Sequence, residues 1–367
     1  MKRISSDLPY YLGFSYCLGI GPMKFSKLKK YFKSAKQAYL ANNSNLEKVL
    51  GFALSKKFIE FRRKFNFNKE MEMLKKNAVT VLTVDSIDYP ESLKNISDSP
   101  ICLYVKGNSA LLGSVSSDFF FSIVGTRKPT SYGRQITYKF ARELTEVGFV
   151  IVSGMAMGVD TIAHQATLDS GGKTVAVLGC GVNVIYPPSN WQLYKNIIKT
   201  GGSVISEFPP NQYVLKGLFI SRNRIISGLS RGVLISEGGK FSGALITAKF
   251  AGIQGKDVFA VPSPINSEMA PAPNLLIKQG AKMVTSTQDI LDEFGINITP
   301  KKSKDIRKNL SDSGKLIFDI LIKCPRTIDE IANETAKMIP EILNTISVLE
   351  INGIVEKNIE KKYQIKI

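Results

Sequence analysis

Six short apolar runs rich in β-branched residues recur along the middle of this 367-residue chain, at 119–124, 149–152, 174–178, 203–206, 232–236 and 257–261. Helical stretches near 132–147, 158–170, 190–199, 222–229 and 243–254 separate them. A strand buried on both faces reads as a continuous apolar run, and two parallel strands need a crossover long enough to hold a helix. The alternation therefore predicts an α/β fold with a mainly parallel sheet across residues 76–295. Two further strand signals come before the series, at 79–84 and at Ile101–Val105 ahead of the Gly107-Asn108 turn.

The flanks read differently. Residues 1–75 carry apolar residues at helical spacing, as in Phe25–Phe32 and Leu46–Phe65, and predict an all-helical domain. Within it, Leu18-Gly19-Ile20-Gly21-Pro22 is a tight turn leading into a helix. It is either a plain structural turn or a helix-hairpin-helix-like turn whose amides face a phosphate. Residues 296–312 turn polar and lysine-rich and read as a linker. Helices at 313–323, 327–335 and 340–351 and a hairpin at 353–366 follow, the order of a small winged helix. Its third helix has Glu341 and Glu350 and no Lys or Arg, a poor reader of a phosphate-lined groove. This module is expected to bind protein or support assembly.

Charge narrows the partners. The 49 Lys and Arg outnumber the 31 Asp and Glu, a net +18 that suits an anionic partner. Residues 1–75 hold 16 basic against 5 acidic side chains and 76–295 hold 20 against 16, so the excess is concentrated at the start. Those N-terminal lysines fit a plain solvated surface as well as a DNA contact. A single histidine, His164, argues against a hydrolytic triad or a zinc site, and its place four residues after Asp160 fits a structural role. Cys17, Cys102, Cys180 and Cys324 lie far apart, with no CxxC pair, and read as packed, reduced thiols. No apolar run reaches the ~18 residues that span a bilayer, and the polar start lacks a signal-peptide core. The expectation is a cytoplasmic protein without membrane partner, metal or cofactor.

In open α/β sheets, ligands bind beyond the carboxyl ends of the strands. Four small-residue turns fall there: Gly125-Thr126-Arg127-Lys128-Pro129, Ser153-Gly154-Met155-Ala156-Met157-Gly158, Gly179-Cys180-Gly181 and Glu237-Gly238-Gly239-Lys240-Phe241-Ser242-Gly243. Such turns let amides approach a phosphate, and Arg127 adds a planar fork. None completes a GxGxxG or GxxxxGK[ST] pattern, which disfavours ordinary dinucleotide or nucleoside-triphosphate sites. Between strands, the segment 216–231 gathers Lys216, Arg222, Asn223 and Arg224 around Phe219, a mixture suited to pairing phosphates and stacking bases. The candidate DNA-binding residues are therefore Gly125, Thr126, Arg127, Lys128, Gly154, Met155, Lys216, Phe219, Arg222, Asn223, Arg224, Ser242 and Gly243.

Longer runs carry a resemblance. Ile123–Pro129 with Tyr132-Gly133, Val152–His164, Ala176–Gly181, Tyr186–Pro188, Ser206–Pro210, Phe219–Ser230, Ser242–Ala248, Val258–Pro262 and Asn274–Ala281 together resemble the DNA-processing protein A (DprA/Smf) family. The similarity runs through residues 80–290 in order and spacing. It implies an extended Rossmann-like domain, an N-terminal helical domain of sterile-alpha-motif (SAM-like) type and a C-terminal winged-helix-like domain. It further implies a non-enzymatic protein that binds and protects single-stranded DNA, helps load the RecA recombinase during natural transformation, and forms a homodimer through the Rossmann domain. One departure is Ala272, where the family has Gly in a Gly-x-Asn turn, which leaves that loop's conformation open. Two other readings compete. A nucleoside-monophosphate phosphoribohydrolase of the lysine-decarboxylase-like group also places glycine turns and a Glu at strand ends, although Glu237–Gly243 lacks that group's Pro and closing Glu. A purely structural assembly subunit is the third.

Overall fold

The computed structural model describes residues 7–116, 119–296, 310–321, 325–335, 337–357 and 362–365. The chain divides into two compact units, residues 1–296 and 297–367.

The first unit opens with six helices: α1 (Leu8–Tyr16), α2 (Pro22–Phe32), α3 (Ala35–Leu40), α4 (Asn43–Leu50), α5 (Phe52–Lys64) and α6 (Phe67–Lys76). Asn and Ser side chains start three of them. Ser34, Asn42 and Asn66 each accept a hydrogen bond from an amide of the following turn. The apolar faces close around Phe14, Phe25, Leu28 and Phe58, and Phe14 stacks on Phe58 at 5.0 Å between ring centroids. Cys102, Tyr104 and Val182, from the sheet and a loop beside it, belong to the same core.

The sheet portion then runs β1 (Thr80–Thr83), α7 (Glu91–Lys94), β2 (Cys102–Gly107), α8 (Ala110–Ser114), β3 (Phe120–Val124), α9 (Ser131–Glu146), β4 (Val150–Ser153) and α10 (Val159–Asp169). It continues with β5 (Thr174–Val177), α11 (Trp191–Lys199), β6 (Ser203–Ser206), α12 (Lys216–Leu229), β7 (Gly232–Ile235) and α13 (Gly243–Ile253). The last elements are β8 (Asp257–Ala260), α14 (Pro271–Lys278), β9 (Lys282–Met283) and α15 (Thr287–Glu293). Among the described residues, nine strands form one sheet in the order β1-β2-β6-β5-β4-β3-β7-β8-β9. The β1–β2 and β2–β6 pairs are antiparallel and the other six parallel.

Side chains of β3 alternate between the two layers. Phe120 and Val124 pack with Val152, Ile226 and Ile235, while Phe121 and Ile123 pack with Phe140, Leu234 and Phe259. Each fully buried aliphatic or aromatic side chain here contributes roughly 1.5–3 kcal/mol of transfer free energy. The strand order reverses at β3, whose neighbours are β4 and β7. Its carboxyl end, Gly125 onward, thus sits at the switch point of the sheet, where such folds open a crevice.

The second unit has helices Asp312–Leu321, Ile328–Thr335 and Ile339–Ile351 and an antiparallel pair, Val355–Lys357 with Tyr363–Ile365. Arg326 and Tyr363 form a further bridge. Ile317, Leu321, Ile331, Ile342, Ile346 and Leu349 make its core. Glu341, on the third helix, pairs with Lys337 and accepts a hydrogen bond from Ser313 at 3.1 Å. Most of the expected linker (residues 297–309), Cys324 and the turn of the hairpin lie outside the described residues. Cys17, Cys102 and Cys180 are buried and free. No helix among the described residues is long and apolar enough to cross a membrane.

Candidate nucleic-acid interface

Beyond the carboxyl ends of β3, β4 and β7 lies an open cleft of about 820 Å³. It is bounded by the Gly125–Arg127 turn, the start of α12 and the loop from Gly239 to Gly243. Two buried carboxylates shape it. Glu237, two residues after β7, accepts from the Thr130 amide (2.9 Å) and hydroxyl (2.6 Å), and its backbone carbonyl accepts from the Thr126 amide (2.8 Å). Thr130 in turn caps α9 by accepting from Gly133 N–H. Asp160, in the first turn of α10, accepts from the amides of Gly154 (3.1 Å) and Ala156 (3.2 Å). Burial pushes the Asp160 carboxyl up, against the opposing pull of Arg222 and of those amides.

In the first two glycine turns, the amides of Thr126, Lys128, Gly154 and Ala156 each donate within the protein, Lys128 to the Thr126 hydroxyl at 3.2 Å. The glycines have a packing role as well. A Cβ at Gly125 would stand 2.7 Å from Val159 Cγ2 and 2.8 Å from the Glu237 carbonyl oxygen. One at Gly154 would stand 2.5 Å from Arg222 Nη1. Both positions pack tightly against other parts of the protein.

Three other candidate side chains also point inward. Arg222 is 4% exposed, and its Nη1 donates to the carbonyls of Gly154 (2.6 Å) and Val177, bracing the ends of β4 and β5. Burial lowers its guanidinium to about 10, with Asp160 opposing. Arg224, equally buried, pairs with Asp98 at 3.1 Å and with Glu207, on the side of α12 away from the cleft. Met155 is fully buried with φ +59°, and its carbonyl accepts from Asn190 at 2.9 Å. The helix explains the split. Starting at Lys216 rather than near 222, α12 places Lys216, Phe219, Ile220 and Asn223 on one stripe, and all four line the cleft.

What remains exposed is cationic and aromatic. Arg127 and Lys128 are exposed, and the Arg127 guanidinium carbon lies 6.0 Å from the centroid of the half-buried Phe219 ring. Tyr186 packs on Phe219 at 5.5 Å. Across the cleft, Lys240 and Phe241 are exposed, the latter at 94%, with Lys240 Nζ 5.9 Å from that ring. Ser242 caps α13, Gly243 has open space where a side chain would project, and Asn223 Nδ2 reaches the Gly243 carbonyl at 3.4 Å. Among the described residues lining the cleft, Asp160 is the only carboxylate, and it is buried. Tyr186 and Ile220 escaped as candidates, and Lys240 and Phe241 lay in the fourth strand-end turn without being singled out. Only the 216–219–220–223 spacing could have flagged Ile220.

His164 is buried with Nδ1 2.7 Å from the Thr174 hydroxyl, which itself donates to the Ile151 carbonyl. Its Nε2 has no hydrogen-bond partner among the described residues, and burial, with Arg222 nearby, lowers its pKa to about 3. The Ala272 departure is accommodated. Its amide donates to the Gly238 carbonyl (2.8 Å) in the first turn of α14, and Asn274 makes two hydrogen bonds to the Ser263 backbone, at 2.9 and 3.2 Å. Glu237, the acid in the phosphoribohydrolase reading, has both oxygens committed to Thr130.

A doubly wound, mainly parallel sheet with a cation-rimmed, ring-bearing crevice at its switch point defines a Rossmann-like α/β protein whose open surface suits a polyanion. Residues 80–295 match the family described as DNA recombination-mediator protein A, and the chain belongs to that family. It is 33% identical to the protein Smf of Escherichia coli over 333 residues, 86% of each chain. The X-ray structure of DNA processing protein A from Streptococcus pneumoniae superposes with a TM-score of 0.68 at 34% identity, covering 81% of this chain and 99% of that one. A second structure, of DNA processing protein A from Helicobacter pylori in a study of its single-stranded DNA binding mode, gives 0.53 at 32% identity, covering 59% and 95%.

Proposed function

We propose that the cleft binds single-stranded DNA and that the protein acts, without catalysis, in DNA processing and recombination. The observation that carries this reading is the rim of exposed cations, Arg127, Lys216 and Lys240, around the Phe219 and Tyr186 rings, with the one carboxylate among the described lining residues buried. Cations along an open groove track a phosphate backbone, and rings accept unpaired bases of any sequence. A duplex offers the phosphates but keeps its bases stacked, so the rings favour a single strand. The Helicobacter pylori relative, described by its single-stranded DNA binding mode, supports the assignment. Family resemblance extends the proposal to protection of incoming DNA in the cytoplasm, to delivery onto the RecA recombinase, and to a homodimer formed through the Rossmann-like domain. The acidic third helix of the C-terminal unit suits a protein-binding or assembly role better than a DNA-reading one.

The test is a fluorescence-anisotropy titration of the full chain with oligo(dT) and with a duplex of equal length, over a range of salt. Tighter binding of the single strand, falling steeply with salt, is expected. Equal or preferential duplex binding would overturn the reading.

A further inference from the structure

Between Leu8 and Leu46 the chain carries six lysines and no carboxylate. Lys29 is drawn inward to Asp85, 2.5 Å away, while Phe25 and Leu28 bury the inner stripe of α2. Lys24, Lys27, Lys30 and Tyr31 are exposed, and their spacing of three and four puts them together on the outer stripe. Tyr31 is 51% exposed. Lys27 and Lys30 make no ion pair among the described residues, and like charges one turn apart repel until an anion neutralises them.

The turn that opens α2 adjoins the cleft's wall. Leu18 to Pro22 line a groove of about 290 Å³ with Phe208, Pro209, Leu215 and Leu218. The last two sit at the start of α12, whose other side gives Lys216 and Phe219 to the cleft. The glycine turn of the sequence thus packs toward the Rossmann-like domain, and the N-terminal end of α2 and the start of α12 line one groove.

We propose that the outer face of α2 continues the cleft as a second contact surface for the same single strand. Phosphates leaving past Lys216 run along Lys24, Lys27 and Lys30, with the Tyr31 ring beside them for a base. Charge complementarity and continuity with the cleft select this occupant, and the inference rests on the single-strand reading of the cleft.

The test uses the full chain, the variant Lys24→Gln/Lys27→Gln/Lys30→Gln, and oligo(dT) of about 5 and about 25 nucleotides, bracketing typical single-strand site sizes. Gln keeps comparable helix propensity at these exposed positions, and an unchanged thermal melt confirms the fold. Each lost phosphate contact lowers affinity about 5-fold at ~0.1 M salt and the salt slope by ~0.7. The long oligonucleotide should bind up to ~100-fold more weakly with a slope smaller by about 2, and the short one unchanged. Arg127→Ala should weaken both. Unchanged binding of the long oligonucleotide by the triple variant overturns this surface, and so does equal weakening of the short one. If the wild-type chain binds neither oligonucleotide, the cleft reading itself falls and takes the surface with it.

Discussion

Acidifying the solution from about pH 7.5 to about pH 5 should destabilise this fold by about 2 kcal/mol through a single side chain. His164 is the chain's one histidine. It sits fully buried, its Nδ1–H directed at Thr174 and its Nε2 without an acceptor, so a second proton would place an unpaired charge in the core beside Arg222. Its pKa is lowered to about 3, whereas an unfolded histidine titrates near ~6.5. The folded pKa being depressed, the stabilisation is fully present above ~6.5 and is lost as pH falls toward the folded value. In that window the unfolded state binds one more proton, at about 1.4 kcal/mol per pH unit, so the drop to pH ~5 is worth about 2 kcal/mol. Asp160 and Glu207 have carboxyl pKa values raised by burial, and they oppose this slope at the acidic end. The clean readout is therefore the difference between wild type and His164→Asn in urea unfolding at several pH values. Whatever the gap at pH ~7.5, it should shift by about 2 kcal/mol in the variant's favour by pH ~5. Parallel profiles would refute the assignment.

Arg222→Met should cost about 3–5 kcal/mol, because it leaves the Gly154 and Val177 carbonyls without a donor and the Asp160 charge uncompensated. Adding Asp160→Asn should recover part of that loss, and a single-variant loss below ~1 kcal/mol in urea unfolding would contradict the bracing role. Phe219→Ala should weaken single-strand binding by about 1–3 kcal/mol per base stacked on the ring while the salt slope stays near wild type. A large slope change in that variant would mean that the ring supports a cation rather than a base.

The central parallel strands, β3 to β7, were legible because each is buried on both faces, whereas the short, exposed β9 left no apolar run to read. The predicted run at 203–206 matches β6, and the run at 119–124 misses β3 by one residue. Pairing was not legible. That β2 inserts antiparallel between β1 and β6 depends on contacts about a hundred residues apart, such as Tyr104 opposite Ser206. The cleft is lined by Arg127, which the strand-end rule singled out, and by Lys216, Phe219 and Asn223, which the cation–aromatic mixture of their segment singled out. Arg222 and Arg224 look alike in sequence, yet one braces two strand ends and the other pairs with Asp98 and Glu207. Composition cannot separate a buried guanidinium with built-in partners from an exposed one. The Glu237–Thr130 latch spans 107 residues, and the Glu237 carbonyl takes the Thr126 amide of the first glycine turn. Lys240 and Phe241 stood in a strand-end turn but were not singled out, because a loop has no periodicity to mark which side chains face a cleft.

The central claim is that exposed cations of the switch-point cleft grip the phosphates of a single strand. It is tested most directly by the salt dependence of oligo(dT) binding to Arg127→Ala beside wild type. One lost phosphate contact predicts a slope smaller by ~0.7 and about 5-fold weaker binding at ~0.1 M salt, close to 1 kcal/mol. A folded Arg127→Ala protein with the wild-type slope and affinity would contradict the account.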